Sequence, residues 1–241
     1  MPATADKGVA IRSRSVPGRD DYFYLLTGLL VAAVIVYGFG QTIGADLIHA
    51  IPAKPFLLYV HAVAFSAWIL FYLLQSALVR ARKVRLHRTL GWFGAAIGTS
   101  VFVLGIWTAI VMGRFHGAEA FAPVLFLSFS DTTAFAVLFA LGICFRAKPE
   151  AHRRLLFLAT CVLTSAGFGR FPIQWLADHW FYAGVDCLVL TGIAHDILTR
   201  HRVHPVYRLA VPSLVSLQLF GAYVSFTPDP TWIRIAHRIL S

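Results

Sequence analysis

Residues 55–88 read PFLLYVHAVAFSAWILFYLLQSALVRARKVRLHR, and this stretch decides the fold. From 55 to 78 the one side chain able to carry charge near neutral pH is His61; five basic residues, Arg80, Arg82, Lys83, Arg85 and Arg88, follow within a few positions. A hydrocarbon core takes roughly 20 helical residues to cross. An apolar run of this length, with no polar face recurring at a period near 3.6 and closed by a block of positive charge, reads as a transmembrane helix that ends at a membrane surface.

The pattern repeats on both sides of this segment. Seven spans are expected, at 22–43, 55–78, 90–112, 122–145, 154–171, 181–198 and 206–226, the fifth stopping before Pro172. The fold class is therefore all-α, a polytopic helical bundle. Residues 1–21 form a polar tail expected to be disordered, 22–227 the transmembrane domain, and 228–241 a short amphipathic segment lying on the outer membrane face. An apolar fraction of 58% with only 13% charged residues, and a mean hydropathy of +0.71, agree with that class. The first apolar run is too long for a signal-peptide core.

Lys and Arg orient the bundle. The tail, the second-to-third loop, the fourth-to-fifth loop (Arg146, Lys148, Arg153, Arg154) and the sixth-to-seventh loop (Arg200, Arg202, Arg208) are basic. The opposite side carries Lys54, Arg114, Arg234 and Arg238. With seven spans every strongly basic segment falls on one side, which places the N-terminus in the cytoplasm and the C-terminus outside. The net charge of +10 is thus spent on topology and on anionic lipid headgroups; no nucleic-acid partner is expected. Trp175, Trp180, Phe181 and Tyr182 mark an outer interfacial belt, and Gly91, Gly94, Gly98 and Gly105 a closely packed third span.

Ionisable groups inside a bilayer are costly, which makes them the first place to seek function. His61, Asp131, Arg170 and Asp186 fall in the outer half of their spans. They read either as a pocket open to the outside or as an Arg170–Asp186 lock with His61 bonded nearby. Trp68 and Gln75 extend His61 into a stripe of every seventh residue, a helix seam or the lining of that pocket. A second group, His87, His152, His195, His201 and His204, sits at the cytoplasmic boundary. His87 and His152 each open a span and precede an Arg, so they read as a basic interfacial patch or as axial ligands of a haem b, with His195 able to replace either.

Other chemistries lack their residues. Lys7, Lys54, Lys83 and Lys148 lie outside the spans, which leaves no Schiff-base lysine for retinal. No P-loop, HExxH or GxSxG occurs, and Glu119 and Glu150 lie in loops. Cys144, Cys161 and Cys187 form no CxxC pair and no metal-ligand spacing, and no metal site is expected.

The run VHAVAFSAWILFYLLQSALVRARKVRLHRTLGWFGAAIG, with SDTTAF, PEAHRRLLFLAT, RVHP and TPDPTW, resembles a family of uncharacterised bacterial multi-pass membrane proteins. That resemblance covers most of the chain beyond residue 55 and implies a bacterial inner membrane. The HRTLG around His87 is also similar to haem-binding bundles of the cytochrome b and ferric reductase type; HRRLL at His152 lacks the glycine. The leading expectation is a membrane protein that binds haem b or another redox cofactor through His87, His152 and His195. The alternatives are a transporter or sensor that takes a small molecule or lipid in the His61, Trp68, Gln75, Asp131, Arg170, Asp186 pocket, and a metal-dependent membrane hydrolase.

Overall fold

The structure is a computed structural model that describes residues 20–227 and 230–241. The expected tail up to residue 19 and positions 228–229 lie outside the described residues. Most of the rest is helical: α1 (Asp20–Ile43), α2 (Phe56–Arg80), α3 (Val84–His116), α4 (Ala118–Cys144), α5 (Pro149–Val162), α6 (Ser165–Phe168), α7 (Phe181–Arg200), α8 (Pro205–Phe226) and α9 (Pro230–Leu240). Six of them, α1, α2, α3, α4, α7 and α8, are long and apolar enough to cross a membrane. Their outward faces carry large apolar side chains such as Leu26, Val36, Val63, Leu70, Trp92 and Leu209, the surface of a protein solvated by lipid.

The fifth expected span is where structure and sequence differ. In place of one helix from 154 to 171, α5 ends at Val162 and α6 adds a single turn after Leu163 and Thr164. The ladder there tightens to bonds between residues three apart, from Thr164 N–H to the Cys161 carbonyl and from Gly167 N–H to the Thr164 carbonyl. The local sequence accounts for this. The Thr164 hydroxyl donates back to the Cys161 carbonyl at 2.6 Å, and Gly167 and Gly169 are poor helix formers. The break also lets α1 come very close: a Cβ on Gly38 would sit 2.2 Å from the Gly167 carbonyl oxygen.

α4 is the centre of the bundle, packed against α3, α5, α8 and α9. The α3 glycines permit this. A Cβ on Gly98 would stand 2.5 Å from the Phe139 ring, and one on Gly105 2.7 Å from Thr132. The connection from α3 to α4 is Gly117 alone, at φ +90°, a backbone conformation that favours glycine.

Contacts between helix termini define two ends. At one end, Arg80 of α2 lies over the Tyr22 ring of α1, His87 of α3 meets His152 of α5, and Arg200 of α7 pairs with Glu150 of α5. At the other, Lys54 lies over Phe115 near the end of α3, and α9 is docked. The C-terminal segment is amphipathic, as expected, but protein covers its apolar side. Ala236 and Leu240 are buried against α3 and α4, and Trp232 donates to the Ala122 carbonyl at 2.7 Å.

Candidate functional site

The basic end is organised around Arg154, one turn into α5. Its guanidinium is fully buried and forks onto Asp196 of α7, whose side chain is 1% exposed. The Nε–Oδ2 bond measures 2.9 Å. A second fork reaches the Glu150 carboxylate at 2.6 Å and its carbonyl at 2.8 Å. Glu150 also pairs with Arg153 and Arg200. Burial alone would raise the Glu150 carboxyl, but these three guanidinium groups outweigh it and hold the group below its ordinary range. Asp196 continues the chain by accepting from the His204 backbone N–H at 3.2 Å. His204 then caps α8, its Nδ1 accepting from Val206 N–H at 3.2 Å. Burial first, then the neighbouring Arg154, hold the His204 imidazole below its usual value.

This network was not singled out from the sequence, although a signal was present. Asp196 lies inside the expected sixth span and Arg154 at the mouth of the fifth, at the same end, where an intramembrane charge calls for a partner.

Beside the network the structure brings two of the three histidines expected to hold haem together. The His87 and His152 rings have centroids 6.3 Å apart and planes at 78°. His152 Nδ1 lies 2.8 Å from the Gly142 carbonyl, near the end of α4. If that nitrogen carries the proton, Nε2 is left as the lone-pair atom. His195 is elsewhere, stacked on Phe23 of α1 at 4.0 Å with Tyr24 and Phe157 close by.

The residues expected to line the outer pocket have partners of several kinds. Asp131 accepts from Ser165 Oγ at 2.6 Å and from the Tyr182 hydroxyl at 2.8 Å. Arg170 donates to the Ala166 carbonyl at 2.6 Å and lies over the Phe39 ring. Asp186 has Gln218 of α8 as its hydrogen-bonding neighbour. His61 stacks on Phe65 with centroids 4.0 Å apart, within electrostatic reach of Arg170. Trp68 is buried edge-on against Phe135 and Phe139, so that part of the stripe is a packed seam between α2 and α4. Gln75, two turns further on, is partly covered, and neither of its amide atoms has a hydrogen-bond partner.

Among the described residues, no three His, Cys, Asp or Glu side chains gather in a group that could hold a metal ion. His61, Asp131 and Asp186 are therefore not assembled as the ligands that a metal-dependent hydrolase would need. Compared with known proteins, the chain matches no family model, no curated protein and no solved structure. The resemblances given above accordingly rest on the quoted motifs.

Proposed function

We propose that the protein is a seven-span protein of a bacterial inner membrane that holds a haem b at its cytoplasmic rim, with His87 and His152 as axial ligands. The observation that carries the reading is the ring pair. Two imidazoles bound to one metal, each with a metal–nitrogen bond of about 2 Å, have centroids roughly 6 Å apart, close to the 6.3 Å here. The donor count favours haem over a bare ion. A structural zinc takes four protein ligands and a catalytic one three, whereas haem iron already has four porphyrin nitrogens and asks the protein for two axial ligands.

Bound haem would supply one-electron transfer. The chain's own residues do the positioning. Gly142 holds the His152 ring through Nδ1, the kind of outer bond that fixes a ligand histidine's tautomer and orientation. The Arg154–Asp196–Glu150 network ties α5, which carries His152, to α7. Arg88, next in sequence to His87, would offer positive charge to propionates or lipid phosphates, while Arg153, next to His152, is paired with Glu150.

The seven-crossing topology is supported by the ends of the bundle. α5 and α6 together run over about 20 residues, roughly 30 Å of helix and the thickness of a hydrocarbon core. The basic loops after α2, α4 and α7 then lie on one side with the start of α1, which the positive-inside rule assigns to the cytoplasm. The docked α9 lies outside.

An absorbance spectrum of the full chain, purified in detergent from cells supplied with haem precursor, tests the reading. A Soret band with the split visible bands of a reduced bis-histidine haem is expected, lost in His87→Ala and in His152→Ala and retained in His195→Phe. A protein that folds without any Soret absorbance refutes it.

A further inference from the structure

The break between α5 and α6 faces Asp131, the middle residue of α4, in the interior of the bundle. Asp131 is a carboxylate with two hydroxyl partners and no cation. Ser165, the first residue of α6, donates to one oxygen at 2.6 Å; Tyr182 of α7 donates to the other at 2.8 Å. On Asp131's own helix, the neighbouring Ser130 hydroxyl donates to the Leu127 carbonyl. The next residue of α4, Thr132, packs against Gly105 of α3. Among the described residues no Arg, Lys or His acts on this carboxyl group; the groups that act on it are Ser165 and Tyr182. The contrast with Asp196, clamped by a buried guanidinium, is direct.

An unpaired charge at this depth is costly, and the ordinary relief is neutralisation. Among the described residues no second acidic or metal-ligating side chain gathers with Asp131 into a group that could hold a metal ion. A proton can neutralise Asp131.

We propose that Asp131 is a proton-binding site within the membrane domain, read out by Ser165 at the broken helix. In the ionised form both hydroxyls donate to the carboxylate. On uptake of one proton from water, a new O–H bond forms on the oxygen facing Ser165, and this O–H donates to Ser165 Oγ. The serine hydroxyl then turns its own hydrogen toward a backbone carbonyl of the preceding turn, a bond that serines in helices commonly make. Tyr182 keeps its bond to the other oxygen throughout. The charge state of α4 is thereby coupled to the joint between α5 and α6, which packs backbone to backbone against α1 through Gly167 and Gly38. This site is separate from the histidine pair and does not depend on haem being bound.

Infrared difference spectroscopy of the full chain reconstituted in phosphatidylcholine–phosphatidylglycerol vesicles, between mildly alkaline and mildly acidic buffer, tests it. The expected result is a carboxylic-acid C=O stretching band that grows as pH falls. It should disappear in Asp131→Asn, whose amide keeps both hydrogen-bonding positions. It should shift in frequency in Ser165→Ala and Tyr182→Phe, because each removes one partner of the group. If Asp131→Asn does not fold, the shift in the two hydroxyl variants carries the assignment. A titrating band that none of the three variants alters overturns the proposal. So does a band at Asp131 that is constant with pH, or no acid band at all.

Discussion

Replacing Asp196 with Asn removes the charge that neutralises Arg154, a fully buried ion. Arg154 is 0% and Asp196 1% exposed in the side chain. Removing one partner from a buried pair of this kind costs about 3–5 kcal/mol, because the remaining ion stays buried without compensation. Here the remaining guanidinium keeps the Glu150 carboxylate and carbonyl. That carboxylate is 42% exposed, so its attraction is partly screened by solvent. We therefore place the loss near the lower bound, about 3 kcal/mol. The His204 backbone N–H still finds an oxygen on the new amide, so the α8 cap is not part of the loss. Unfolding in a graded mixture of mild detergent and dodecyl sulfate, followed by tryptophan fluorescence, measures this. The double variant Arg154→Leu/Asp196→Leu should be markedly more stable than Asp196→Asn, since deleting both charges avoids stranding either. An Asp196→Asn protein within about 0.5 kcal/mol of the parent, the ordinary range of a surface substitution, would refute the claim that this pair holds α5 to α7.

Acid should weaken the same end. His204 is held neutral, below its ordinary value of about 6.5, so its contribution is present at neutral pH and is lost as pH falls below that value. Glu150, held below its ordinary value of about 4.3, adds a second loss at lower pH. The unfolding midpoint followed against pH should therefore fall from neutrality downward, and His204→Asn, which keeps an acceptor for the α8 cap, should flatten the upper part of that fall; a midpoint that rises on mild acidification contradicts the assignment. Gly38→Ala should destabilise by roughly 1–3 kcal/mol, the usual cost of overpacking. The new methyl would meet the Gly167 backbone, which cannot swing aside. Gly40→Ala, where a Cβ meets nothing within 4 Å, is the matched control for the same assay. His195→Phe should leave any haem spectrum unchanged while His87→Ala abolishes it.

The sequence by itself determined that this is an all-α chain with membrane-spanning helices, because bilayer thickness acts on each segment separately. The run from 55 to 78 has to be a spanning helix whatever its neighbours do. It also located the glycine-rich face of α3 and the pairing of short basic turns with helix ends. Tertiary structure decided what depends on rotation and contact between helices. Residues 154–171 carry enough apolar character to read as one span, yet Thr164, Gly167 and Gly169 break it, and the break is stable because Ser165 reaches Asp131 and Gly167 meets Gly38. Along the chain His87 and His152 match in position, and His195 can stand in for either. Helix rotation puts His87 against His152 and turns His195 toward Phe23. Asp131, Arg170 and Asp186 are expected at one level of the bundle from their places in the sequence, but depth alone does not bring groups together. Each faces a different neighbour, and the buried partnership of Arg154 with Asp196 appears only when α5 and α7 are laid side by side.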